Sequence, residues 1–169
     1  GDSSGCALRV ACGEEERKAM KPRLTTANRA IVDRALKAMV KYPDTFDMRE
    51  WLSHDEDVKA SRKRPAPYCG TTACFAGHVA LAAGAKPQQF MKVHVPKRYR
   101  EALGDDVAYA DDFAAHILGI TDNPLARADL FMTHRWPRRF RGRYRTRAAP
   151  IRKARAAVAR VRHWLKTGE

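Results

Sequence analysis

The stretch CGTTACFAGHVALAAG, residues 69–84, is the most apolar part of the chain and predicts the centre of the fold. Thr71 or Thr72 is a suitable N-cap for a helix, and Gly84 is a suitable terminator. Small side chains let neighbouring helices approach closely, and they recur through the stretch at Ala76, Gly77, Ala80 and Ala83. The stretch therefore predicts a buried central helix.

Two longer amphipathic helices are predicted on either side of this stretch. Thr25 and Thr26 are N-cap residues, and apolar side chains follow at helical spacing from Ile31 to Val40. Near the other end of the chain, Pro150 precedes a second apolar stripe. Its members are separated by steps of three and four and are Ile151, Ala154, Val158, Val161 and Leu165.

Shorter helices are predicted between these two. Pro96 can open one helix, Asp111-Asp112 precedes a second, and Thr121–Pro124 has the composition of a third helix start. A weak strand pattern occurs at Phe90–Val95. We therefore predict a mainly α fold, with a compact multi-helix domain around a central Ala/Gly-rich helix and a basic C-terminal arm and helix.

Charge is distributed very unevenly along the 169 residues. The chain has 33 Lys and Arg against 19 Asp and Glu, for a net charge of +14. Residues 135–169 contain thirteen basic residues and one acid, so this segment carries +12 and the rest only +2. A one-sided positive field attracts polyanions such as nucleic acid or an acidic protein surface. No apolar run is long enough to span a membrane, and the last helical stripe is too small and Ala/Val-rich to favour membrane binding.

These patterns predict three segments. Residues 1–20 have no apolar period and are expected to be a disordered leader or sequence foreign to the natural chain, with Met20 as a plausible start. Residues 21–134 form the helical domain, and residues 135–169 form the Arg-rich arm and the C-terminal helix. The chain shows no signal peptide, so its four cysteines are expected to be free thiols in the cytoplasm.

The order of several motifs resembles a group of small phage and bacterial proteins with the pattern CGTxxCxAGW, then LLGL, LF and WP. Here the pattern is matched at Cys69–Gly77, Leu118–Ile120, Leu130-Phe131 and Trp136-Pro137, and YPDTFDMREW at residues 42–51 matches the usual lead-in. The chain departs from the group at His78, where Trp is usual, and in its Arg-rich end. The resemblance implies a helical cytoplasmic protein, often phage-borne and then acting in the host cytoplasm, but no particular activity.

Cys69, Cys74 and His78 are weak candidates for catalysis. A helix start can lower the pKa of a thiol, and Cys74 and His78 are neighbours on one helix face. Cysteines in an Ala/Gly-rich helix more often pack in the core, so we assign no catalytic residue. A zinc site would need a fourth ligand such as His54, His94 or His116, and the C-x4-C-x3-H spacing is not typical of zinc. We therefore predict no metal and no cofactor.

The segment Arg138–Arg147 is the strongest candidate for binding, because six of its ten residues are Arg. Guanidinium groups bind phosphates in a bidentate manner, and the interleaved rings of Phe140 and Tyr144 could stack on bases. Arg152, Lys153, Arg155, Arg160 and Arg162 then decorate the last helix. The predicted nucleic-acid-binding residues are Arg135, Arg138, Arg139, Phe140, Arg141, Arg143, Tyr144, Arg145, Arg147, Arg152 and Arg155.

The leading hypothesis is a non-enzymatic accessory protein that binds DNA or RNA through phosphates with little base readout. The alternative is a protein-interaction module, such as a phage factor that binds an acidic host protein. A cysteine-dependent enzyme is the third hypothesis. A solvated basic face without a ligand is the simplest competing interpretation, but the dense charge repels itself unless a polyanion neutralises it. Sequence does not distinguish DNA from RNA or give the oligomeric state.

Overall fold

The computed structural model describes residues 24–48, 52–54, 71–141 and 149–168. The α-helices in these residues are α1 (Thr26–Lys41), α2 (Phe75–Ala82), α3 (Lys97–Leu103), α4 (Ala110–Leu118), α5 (Pro124–Phe131), α6 (Arg138–Arg141) and α7 (Pro150–Thr167). The strands are β1 (Leu52–His54), β2 (Thr71–Ala73), β3 (Lys86–Pro87), β4 (Lys92–His94) and β5 (Val107–Tyr109). Single 3-10 turns occur at Pro43–Thr45 and Thr133–Arg135. The mainly α prediction is confirmed.

Helix α1 begins and ends where its sequence predicts. The Thr25 hydroxyl accepts a hydrogen bond from the backbone N–H of Asn28 at 3.1 Å, which satisfies one donor of the first turn. The helix ends at Lys41, shortly before Pro43. Its apolar stripe is buried and consists of Ile31, Val32, Ala35, Leu36, Ala38 and Met39.

Helix α2 is the central helix, packed between α1 and α4. Every residue from Phe75 to Leu81 is buried, which confirms the prediction from the apolar stretch. The predicted cap is wrong, because Thr71 and Thr72 lie in β2 and the N-cap residue is Cys74. Strand β2 pairs with β1 in antiparallel register, with Leu52 opposite Ala73. Threonine suits both a cap and a strand, and here strand pairing satisfies the backbone.

A three-stranded antiparallel sheet, in the order β3-β4-β5, lies beyond α2 in the chain. Strand β4 falls within the predicted strand segment, whose first residues, Phe90 and Met91, form a turn with positive φ angles of 58° and 64°. Helix α3 follows Pro96. Helix α4 ends at Leu118 and is closed by Gly119, which has a left-handed φ of 67°. Asn123 caps α5 through its side chain, bonded to the N–H of Ala126 at 2.9 Å.

Helix α7 shares one hydrophobic core with the rest of the described chain. It packs against α1, α5, α6 and the 3-10 turn at Pro43–Thr45. Its buried face is rotated slightly from the predicted stripe, because Trp164 is fully buried while Leu165 is only half-buried. Within the described ranges, none of the helices combines the length and apolar composition needed to cross a membrane.

Candidate nucleic-acid interface

The outer surface of α7 carries a continuous stripe of cations. The stripe consists of four exposed residues, namely Arg152, Arg155, Arg162 and Lys166. They are separated by steps of three, seven and four residues, so they project from one side of the helix. The opposite side is held in the core by Ala157, Val161 and other small or apolar residues. Burial of that side fixes the four cations toward solvent.

A groove between α1 and α7 extends this positive surface. Its volume is about 570 Å³, and its charged lining residues are Lys37 and Lys41 from α1 and Arg155 and Arg162 from α7. The remaining lining residues are apolar and are Leu36, Val40, Val158 and Ala159. Because the charged groups lining this groove are all cationic, their fields add.

The short helix α6 places further arginines beside the stripe. Arg138, Arg139 and Arg141 are exposed. The Arg139 guanidinium contacts Nε2 of His163, and Arg141 donates to the carbonyl oxygen of His134 at 3.0 Å. His163 is three residues before Lys166 on α7, so the two are neighbours on the helix surface. We call the cations of α6, of the stripe and of the groove the basic face: Lys37, Lys41, Arg138, Arg139, Arg141, Arg152, Arg155, Arg162 and Lys166.

Phe140 does not belong to this exposed surface, and the prediction that its ring stacks on a base is wrong. The side chain is only 7% exposed. Its ring lies 5.5 Å from that of His163, and the guanidinium groups of Arg139 and Arg160 lie 5.0 and 6.0 Å from its centroid. Phe140 therefore attaches α6 to α7. Sequence places it among six arginines, which hides this packing role.

Arg160 is not one of the cations that decorate the surface of the last helix, so that prediction is wrong for this residue. It is 1% exposed and donates to the carbonyl oxygen of Asp129 at 3.1 Å, so it joins α7 to α5. Burial lowers the pKa of the guanidinium, with an opposing contribution from the Asp129 carboxylate. Arg160 helps hold the helix rather than forming part of the binding surface.

The other predicted residues divide into three groups. Arg135 is exposed, but its Nε is paired with the Asp129 carboxylate at 2.8 Å, which partly neutralises its charge. Arg152 and Arg155 both lie on the exposed stripe of α7. The last group lies outside the part of the chain that the structure describes and consists of Arg143, Tyr144, Arg145 and Arg147.

The surroundings of Cys74 and His78 do not suit nucleophilic catalysis. Burial raises the pKa of the Cys74 thiol from 9.0 to about 12, which outweighs hydrogen bonds from nearby backbone groups, so the expected activation is wrong at this residue. Burial also lowers the pKa of His78 to about 4. The neutral ring donates from Nε2 to the carbonyl oxygen of Thr45 at 3.2 Å and packs 5.9 Å from the Phe46 ring. Cys69 lies outside the described residues.

The candidate zinc ligands do not form a cluster in the described ranges. No group of three His, Cys, Asp or Glu residues that could hold a metal ion occurs there. His94 is exposed on β4, and His116 packs against the ring of Tyr99. Cys69 and the side chain of His54 are outside the description. Within the part of the chain that the structure describes, Cys74 and His78 are therefore buried residues that belong to no metal-binding cluster.

No protein-family model, curated protein or solved structure matches this chain. The basic face joins arginines, which favour bidentate contacts with phosphate, to the lysines of α1, which act as point charges. Such an arrangement can hold an extended polyanion.

Proposed function

We propose that this protein is a non-enzymatic nucleic-acid-binding accessory protein that contacts phosphates through its basic face. The observation that carries the proposal is the exposed stripe of α7, continued on one side by Lys37 and Lys41 and on the other by α6. From Arg152 to Lys166 the stripe is about 21 Å long at the usual helical rise. That length corresponds to about six phosphates along one strand of duplex DNA.

The composition of the basic face favours contact with the backbone over reading of bases. Exposed guanidinium and ammonium groups bind phosphate oxygens, which gives affinity and orientation without sequence information. The burial of Phe140 removes one of the two rings that could have stacked on bases. The proposed protein therefore discriminates weakly among sequences, and its binding depends strongly on salt. The resemblance to small phage and bacterial proteins supports a phage origin and a place in the host cytoplasm.

The first test measures fluorescence polarisation of labelled duplex DNA, single-stranded DNA and structured RNA with the full chain. With contacts to about 5–8 phosphates, log K should fall with log salt at a slope of about −4 to −7 on duplex DNA. A protein that binds none of the three nucleic acids near 50 mM salt, where such contacts are strong, would overturn the proposal.

A second test assigns the binding to α7. Replacing Arg152 and Lys166 together by Gln removes two exposed cations of the stripe and should reduce the magnitude of the salt slope by about 2. The matched control replaces Lys86 and Lys97 by Gln, because these lysines are exposed in β3 and α3 and do not line the groove. Both variants lose the same net charge. If the two variants weaken nucleic-acid binding equally, the interface is not located on α7 and the proposal is contradicted.

A further inference from the structure

The groove between α1 and α7 has a feature that phosphate binding does not use, namely an apolar floor. We call its four apolar lining residues the floor: Leu36 and Val158 are almost fully buried, and Val40 and Ala159 are half-buried. A phosphodiester backbone has no apolar side that would cover such a floor. The floor and the four cations that line the groove are together complementary to a ligand that is both apolar and acidic.

We propose that this groove binds an acidic amphipathic helix of a partner protein. Lys37 and Lys41 line one wall and are one helical turn apart, while Arg155 and Arg162 line the other wall and are two turns apart, about 10 Å. A partner helix with apolar residues at i, i+3 or i+4, and i+7 would place them on the floor. Asp or Glu residues on both flanks of that apolar stripe would meet the cations of both walls.

Charge complementarity favours this occupant over the other candidates. A second copy of the same face would bring cations against cations, which is repulsive. A fatty acid carries a single carboxylate and cannot neutralise cations on two opposite walls. The cations on both walls of an open groove, one to two helical turns long, match a helix that has acids along both sides.

The probe for this proposal is a fluorescein-labelled synthetic peptide of roughly 15 residues, about the length at which isolated helices become marginally stable. It carries Leu at i, i+3, i+4 and i+7 and Glu on both flanks. The control peptide keeps the Leu residues and replaces every Glu by Lys. We expect the acidic peptide to bind the full chain at least about tenfold more tightly than the basic one.

The floor is tested with a substitution that leaves charge unchanged. Ala159→Trp fills the groove and should weaken the acidic peptide by at least about tenfold, whereas the matched variant Ala102→Trp on exposed α3 should not. The separate readout for nucleic acid is Arg152→Gln combined with Lys166→Gln, because these two exposed cations do not line the groove, so the variant should weaken duplex DNA more than the acidic peptide. The peptide result therefore stands or fails independently of the proposed nucleic-acid function.

The walls are tested with Lys37→Gln combined with Lys41→Gln, which also covers the case in which Ala159→Trp does not fold. Peptide affinity should fall by about tenfold relative to the control pair Lys86→Gln and Lys97→Gln. Equal affinity for the acidic and basic peptides would overturn the proposal. So would an acidic peptide whose binding is insensitive to both the floor and the wall variants. The two other occupants are tested by measuring laurate binding and self-association of the full chain with the same variants. If either of these responds to the variants and peptide binding does not, the proposal is overturned.

Discussion

The guanidinium of Arg160 lies 6.0 Å from the ring centroid of Phe140, and both side chains are buried where α6 meets α7. This contact separates two roles that look alike in the sequence. Arg160 and Phe140 hold the short helix against the long one, while Arg138, Arg139 and Arg141 remain exposed. Helix α6 is thus held against α7 by one buried arginine and one buried ring.

Phe140→Ala should destabilise the protein by about 2–4 kcal/mol, because it leaves a cavity and removes the ring beside Arg160. Urea unfolding followed by circular dichroism measures this free energy. The control is Leu125→Ala, since Leu125 is 54% exposed and its truncation should change stability by less than about 0.5 kcal/mol. A Phe140→Ala protein as stable as the Leu125→Ala protein would show that the ring is not packed as described.

His78 should make stability depend on pH. Folding lowers its pKa from 6.5 to about 4, so the unfolded chain takes up the proton first as pH falls. Above pH 6.5 the ring is neutral in both states, and the folded protein has its full stability with respect to His78. This stability is lost progressively as pH falls from 6.5 toward 4. The loss should be on the order of 3 kcal/mol, measured as the free energy of unfolding in urea across that range.

The matched variant is His78→Gln, whose side chain does not titrate and retains a donor for the Thr45 carbonyl oxygen. Its stability should vary much less between pH 6.5 and 4 than that of the original protein. The other histidines are common to both proteins and cancel in the comparison. Parallel pH profiles for the two proteins would refute a buried neutral His78.

Cys74 should resist alkylation in the folded protein. With a thiol pKa of about 12, almost no thiolate forms at pH 8, and burial blocks access as well. Iodoacetamide labelling in a Cys69→Ser background, followed by tandem mass spectrometry, should show Cys74 modified only after denaturant is added. Rapid labelling of Cys74 at pH 8 without denaturant would instead indicate an accessible thiolate.

The turn at Phe90 and Met91 should be improved by residues that accept positive φ. Phe90→Asn combined with Met91→Gly gives the Asn-Gly pair typical of turns with two left-handed residues, and it should stabilise the fold by about 1–2 kcal/mol. Met132→Gly is the control, because Met132 is exposed but has an ordinary φ of −109°. The midpoint temperature of thermal unfolding should rise for the turn variant and fall for the control.

Helix boundaries could be predicted from sequence because caps are local. The Thr25 hydroxyl, the Asn123 side chain and Pro150 each act within about three residues of the helix start that they mark. The start of α2 was missed because the β2 pairing with β1 involves residues about twenty positions away. A local pattern carries no information about that partner.

The basic face could be predicted only in part for the same reason. Exposure of Arg152 and Arg155 follows from the helical period of α7, but burial of Arg160 depends on Asp129 and Phe140 in other elements. The groove was not predicted at all, since Lys37 and Arg155 meet only after α1 and α7 pack together. Surface chemistry that needs two distant helices is a property of the tertiary fold.

The packing of α1 against α7 also sets an order of events during synthesis. Pro150 follows Lys41 by 109 positions, so a ribosome adding about 5–20 residues per second needs roughly 5–20 s to supply the partner helix. Until then, the side of α1 that lies beside Val158 and Ala159 in the folded protein stays open to other proteins in the cell. A chaperone has its best opportunity to bind the nascent chain in that interval.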